Sequence, residues 1–263
     1  MVEQSSIEKL ALMAGSTISP VGKVRIINRP VEHAIFGLLV AGIVGVVFLG
    51  FGKSYLLAGL VRAPLPNLLV HIHGAVYTSW ILLLIVQTSL AASGKLRWHR
   101  QLGFLGLFIA SAMVVLGIMV ARWSLAAHRY PPIFPPFVFF FGQLATVAFA
   151  FPLLVFFAFH CRKHPATHKR LIIIATLSIF DAAITRWPIP AISQSILMTS
   201  AVVYCFLIVM IAYDLFSLHR IQKATLWGGL FLIVFREGRI LIAISPQWAA
   251  LCYWARSRNI ISF

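Results

Sequence analysis

The chain has 263 residues, 60% of them apolar and 11% charged, with a formal net charge of +16. Soluble domains carry roughly 45–50% apolar and about 25% charged residues, so this composition excludes an ordinary soluble fold, and it excludes a disordered chain as well. The three cysteines (Cys161, Cys205 and Cys252) form no CxxC pair, and so indicate neither a disulfide framework nor a zinc-finger spacing.

Residues 1–32 are polar and then basic (Lys23, Arg25, Arg29). No apolar run leads to a small-residue cleavage site, so this lead does not read as a signal peptide, and an interfacial helix is expected around Ile7–Met13. Ala34–Gly52 is free of charge and long enough to cross a hydrocarbon core of roughly 30 Å. After a loop ending at Pro64 and Pro66, Asn67 is placed to cap a second span, Leu68–Ala92. A basic turn (Lys95, Arg97, His99, Arg100) precedes the third span, Gln101–Trp123. The Pro-rich connector Tyr130–Pro136 cannot continue a helix, and the fourth span, Phe137–Phe159, is expected to kink or relax at Pro152. The turn His160–Arg170 leads to a fifth span, Leu171–Trp187, ended by Pro188 and Pro190. Ile192–Tyr213 is the sixth. The last segment, Ala224–Ile244, is interrupted by Arg236, Glu237 and Arg239. It reads first as one helix with buried charges, and alternatively as a broken or re-entrant helix covered by protein. The expected fold is therefore all-α, a bundle of seven transmembrane helices over 33–250, with a lead at 1–32 and a tail at 251–263.

The basic residues support a topology. Lys9, Lys23, Arg25, Arg29, Lys95, Arg97, Arg100, Arg162, Lys163, Lys169, Arg170, Arg220 and Lys223 fall on one side, and Lys53, Arg62, Arg122, Arg129 and Arg186 on the other. The positive-inside rule then places the N-terminus in the cytoplasm. No basic helix face or aromatic-interleaved patch is present, so nucleic acid is not an expected partner. The bilayer is, and a second membrane protein or a second copy of the chain stays open.

The stretch His71-Ile-His-Gly through Trp80 and Gln87 to Gly94-Lys-Leu-Arg-Trp-His-Arg100 and Gly103, with Pro165-Ala-Thr-His-Lys-Arg-Leu171, resembles a group of uncharacterised multi-pass bacterial inner-membrane proteins. The likeness covers about residues 67–175. It implies an inner-membrane location and brings no activity or cofactor with it.

Ionisable residues at membrane depth are functional-site candidates, since each costs about 2.5–3.5 kcal/mol at mid-helix even on insertion scales. Counting from the expected helix ends places His71, His73, Gln143, Asp181, Arg186, Arg236, Glu237 and Arg239 in one outer layer. An imidazole with a carboxylate suits a transition metal, giving His71, His73 and Asp181 as candidate ligands. His71 and His73 lie about 200° apart on a regular helix, so both reach one ion only if the helix start unwinds. Arg236 and Arg239 share a face and, with Arg186 and Glu237, form a candidate cofactor site that could clamp a phosphate, carboxylate or haem propionate. The competing reading is that the carboxylates simply neutralise the arginines within the bundle. At the inner ends, His99, His160, His164, His168, His33 and His219 read first as solvated turn residues. Two imidazoles on different helices could hold a b-type haem axially, but the residues do not say which two. Trp80, Trp98, Trp123, Trp187 and Trp227 read as interface anchors. Three functions follow: a haem- or metal-bearing membrane oxidoreductase or enzyme, a small-solute transporter, and a structural or accessory subunit.

Overall fold

The computed structural model of the chain describes residues 29–57, 67–130 and 135–258. The helix expected around Ile7–Met13, the tip of the first loop and the extreme tail lie outside them. No strand occurs among the described residues. Helix α1 (Arg29–Phe51) runs into a π-turn, Gly52–Leu56. Helix α2 (Leu68–Ala92) is capped by Asn67, whose side chain accepts from the Val70 amide at 2.9 Å, as its position before the apolar run predicts. A tight turn leads into α3 (Leu96–Ala126). There Gly94 adopts φ +73°, a left-handed conformation that favours glycine.

The fourth span is two helices, α4 (Pro136–Ala145) and α5 (Phe151–His160), joined without a break by a π-turn at Thr146–Ala150. Pro152 has no amide hydrogen to donate back into the preceding turn, and its ring crowds the carbonyl four residues earlier. The helix relaxes into wider turns just before it. Helix α6 (Pro165–Ser178) begins on a proline suited to a first helical turn. Two short helices follow, α7 (Asp181–Ile184) and α8 (Pro190–Ser193), and then α9 (Ile196–Leu218), α10 (Lys223–Ala243) and α11 (Pro246–Ser257).

Among the described residues five helices are long and apolar enough to cross a membrane: α1, α2, α3, the joined α4–α5 and α9. That supports a membrane-embedded helical protein with five candidate spans and not the seven expected, since neither Leu171–Trp187 nor Ala224–Ile244 is among them. Leu171–Trp187 is not one helix. At its middle the amides of Ile179 and Phe180 bond three residues back, to Thr176 (3.3 Å) and Leu177 (3.2 Å), and the chain turns into α7. The final segment is continuous through Arg236, Glu237 and Arg239, so of the two forms left open for it the unbroken one is adopted.

Helix α6 is the centre of the bundle. Leu171 and the run Ile173–Ser178 are all buried, a helix apolar all round and enclosed by its neighbours. Trp80 from α2 donates to Thr176 Oγ1 at 3.2 Å and stacks edge-on against Phe151 of α5. Gly228 lets α10 cross closely, since a Cβ there would come within 2.9 Å of Ile174. Leu82, Phe104, Phe108, Val234 and Leu241 face outward, an apolar surface suited to lipid contact. Two indoles expected as interface anchors are instead internal ties: Trp80 is buried, and Trp187 donates to the Val46 carbonyl at 3.1 Å.

Candidate functional site

The charged residues of α7 and α10 meet between α4, α7, α9 and α10. Asp181 opens α7 and places its carboxylate between two guanidinium groups, Arg236 Nη1 on Oδ1 and Arg239 Nη2 on Oδ2. The Oδ2 contact is an aligned hydrogen bond, whereas Oδ1 is held as an ion pair. Arg236 is buried and also donates to Ser200 Oγ (3.0 Å) and Thr199 Oγ1 (3.3 Å) on α9. Arg239 reaches the π-turn of the fourth span, where it donates to Thr146 Oγ1 and to the Gly142 carbonyl at 3.2 Å. Glu237 faces α9, accepting from Ser200 Oγ at 3.0 Å and from the Tyr204 hydroxyl, with Arg236 Nε 3.9 Å away. Two cations and two anions thus satisfy one another, with four hydroxyls and a carbonyl completing the set.

Asp181 therefore joins Arg236, Glu237 and Arg239, and the other three candidates lie apart in what they touch. Arg186 donates Nη1 to the Ala182 carbonyl of its own segment and lies over the Phe51 ring, 5.0 Å from its centre. His71 packs against Tyr55, ring centres 5.7 Å apart, and its carbonyl accepts from the Tyr55 hydroxyl at 2.9 Å. His73 stacks on Tyr77 at 4.1 Å, and its Nδ1 is buried without a hydrogen-bond partner. The two histidines meet different tyrosines, as two residues about 200° apart on a regular helix must. Among the described residues no three His, Cys, Asp or Glu side chains converge on one point.

The other end of the bundle, which carries the basic turns, holds polar groups that spacing did not single out. Arg170 and Asp214 form a fully buried ion pair. Thr225 Oγ1 links them, accepting from Arg170 Nε at 3.1 Å and donating to Asp214 Oδ2 at 2.6 Å. The Gln222 amide donates to the same carboxylate at 3.1 Å, and beside the pair Lys169 meets Glu32 of α1. Arg170 and Asp214 read as turn charges in the sequence. The available signal was the scarcity of acids, six in 263 residues, which makes any acid at a helix end a strong candidate for pairing.

At the same end two imidazoles come together. His99 at the start of α3 and His168 in the first turn of α6 have ring centres 6.2 Å apart and planes at 88°. His99 Nδ1 lies 3.2 Å from the Gln87 carbonyl and His168 Nδ1 lies 2.8 Å from the Ala158 carbonyl. A carbonyl only accepts, so both Nδ1 atoms carry the proton and both Nε2 atoms present a lone pair. Burial holds the His168 imidazole below its ordinary range, the carbonyl of Ala158 opposing the shift and the charge of His99 adding to it. The Gln87 side-chain Oε1 is buried without a partner in the same region, beside Gly103, one helical turn beyond His99.

No protein-family model, curated protein or solved structure matches the chain.

Proposed function

We propose that the protein is a membrane redox protein that holds a b-type haem between His99 and His168. The observation that carries this reading is the neighbouring imidazole pair, ring centres 6.2 Å apart, with each Nδ1 within hydrogen-bond distance of a backbone carbonyl. Metal-ligating histidines are commonly oriented in this way, because the second nitrogen's hydrogen bond sets the tautomer and raises the basicity of the first. An imidazole–metal–imidazole stack with metal–nitrogen bonds of about 2 Å spans about 6 Å between ring centres. Perpendicular ring planes are compatible with such a stack. Two imidazoles fall short of the four ligands of a structural zinc site, whereas a porphyrin supplies its iron with four nitrogens of its own and needs only the axial pair. No CxxCH stands in the sequence, so the group would be held without covalent attachment. Lys95, Arg97 and Arg100 are exposed around His99 and suit the propionates. In this reading His99 and His168 ligate, and the Asp181, Arg236, Glu237 and Arg239 network holds the opposite end of the bundle together.

The test is the visible spectrum of the purified full chain, expressed with a haem precursor and then titrated with hemin. A low-spin six-coordinate haem at one per chain is expected, lost in His99→Ala and in His168→Ala and kept in His160→Ala and His164→Ala. Protein that stays without iron and leaves added hemin unligated refutes it.

A second reading, a small-solute transporter, draws on the interrupted α6–α7 segment and the π-turn, both at the level of the charged network. Discontinuous helices of this kind form many transport sites. Vesicle uptake unaffected by Asp181→Asn and Arg236→Ala would remove it.

A further inference from the structure

One carboxylate of the charged network is held on one oxygen and free on the other. Glu237 on α10 makes its internal contacts through Oε1, which accepts from Ser200 Oγ at 3.0 Å and from the Tyr204 hydroxyl, with Arg236 Nε 3.9 Å from the same oxygen. Among the described residues no donor reaches Oε2. The side chain is 45% exposed, against 6% for Arg236 and 20% for Asp181. The network thus presents one anchored acceptor to the surroundings of the bundle.

Those surroundings are apolar. Both hydroxyls belong to α9, a helix long and apolar enough to cross a membrane, and Tyr204 lies eight residues beyond its first residue, about 12 Å along the axis. Leu197 and Ile208 are exposed on α9 to either side of Tyr204. On α10, Leu230, Val234 and Leu241 are exposed at helical spacing from Glu237, so the carboxylate interrupts an apolar stripe. The space beside it is open, since a Cβ at Gly238 would meet nothing within 4 Å. An ionised oxygen in such a surface demands a donor. The donor should be neutral: Arg236 and Arg239 already balance Asp181 and Glu237, and a cationic ligand would leave a net charge at a depth where charge is costly. A hydroxyl carried by a lipid-soluble molecule meets both conditions. A phenolic O–H, more acidic than an aliphatic one, is the stronger donor to a carboxylate.

We infer that Glu237 is the receptor of a bilayer-facing site for a lipid-soluble phenol, the chemical class to which quinols belong. The phenolic hydroxyl donates to Oε2, the open space beside Gly238 takes the ring, and the exposed apolar stripe of α10 takes the hydrocarbon substituent. Ser200 and Tyr204 hold the carboxylate in place through its other oxygen. The site is separate from the histidine pair and stands whether or not a haem is bound.

The full chain in phosphatidylcholine nanodiscs is titrated with para-octylphenol while its thermal unfolding is followed. Para-octylanisole, the same molecule with its hydroxyl methylated, has no O–H to donate and is the matched control. Saturable stabilisation by the phenol is expected, with an apparent affinity at least about tenfold above that of the anisole. Glu237→Gln keeps the size and replaces the charged acceptor by a neutral amide, and should bring the phenol down to the level of the anisole. Gly238→Leu fills the open space and leaves every charge in place, so it should lose the response even where Glu237→Gln folds poorly. Gly37→Leu, at another glycine whose added Cβ meets nothing within 4 Å, should keep it. The inference is overturned if phenol and anisole stabilise the parent equally, or if Gly238→Leu responds as the parent does. It is also overturned if the phenol has no effect and only added phosphatidylglycerol stabilises the chain, since the hydroxyl would then come from a headgroup at the membrane surface.

Discussion

Asp181→Asn keeps the size of the side chain and removes its charge, leaving Arg236 and Arg239 facing a neutral amide. Arg236 is 6% exposed and Arg239 15%, so neither can recover its hydration without the bundle opening. Removing one partner of a buried ion pair typically costs about 3–5 kcal/mol. Several contacts survive: Arg236 keeps Ser200, Thr199 and the more distant Glu237, and Arg239 keeps Thr146 and the Gly142 carbonyl. The expected loss is therefore at the lower end, about 3 kcal/mol. Removing the charges together should cost less. Asp181→Leu with Arg236→Met and Arg239→Met replaces three charges by apolar groups of similar size, a change that is often neutral or stabilising in other buried ion triads. Reversible unfolding in mixed micelles, with helicity as the signal, measures both. If Asp181→Asn loses less than about 1 kcal/mol, or the triple variant loses more than the single one, mutual neutralisation is not what holds α7 and α10 together.

Gly50→Ala should destabilise by about 1–3 kcal/mol, because a Cβ at Gly50 collides with the Ala183 backbone carbonyl, whereas Gly45→Ala meets nothing within 4 Å and should be close to neutral in the same unfolding assay. His168 lies in the turn outside the expected spans and has a pKa below its ordinary value, so an unfolded chain binds a proton there before the folded chain does. In the chain purified without haem, stability should be fully present above the unfolded value of about 6.5 and decline as pH falls from there toward the folded value, and His168→Gln should flatten that part of the profile. The basic asymmetry predicts that a single cysteine at Ser93, in a chain whose three native cysteines are replaced, is labelled only from the cytoplasmic side and one at Ser54 only from the opposite side. The reverse pattern would invert the topology.

Composition and hydropathy sufficed for the parts of this protein that the solvent dictates. In hydrocarbon every backbone group must be satisfied within its own segment, so long charge-free runs become helices wherever they occur. The Asn67 cap and the relaxation ahead of Pro152 were legible for the same local reason, since each depends on one residue's own hydrogen-bonding capacity. Shared depth also placed Asp181, Arg236, Glu237 and Arg239 in one layer, because charges in a bilayer must find one another. Depth is a single coordinate, however, and azimuth is set by packing. It is packing that turns His73 toward Tyr77, leaves Arg186 over Phe51 and encloses α6 on every side. The interruption at Ile179–Phe180 contains neither proline nor glycine, and no local rule marks it. It occurs where the Asp181 carboxylate sits between two arginines that follow it by more than fifty residues. The choice of His99 and His168 among nine histidines was likewise decided by tertiary structure. Each stands at a helix start, and only the docking of α3 and α6 against the ends of α2 and α5 supplies the two carbonyls that orient the rings.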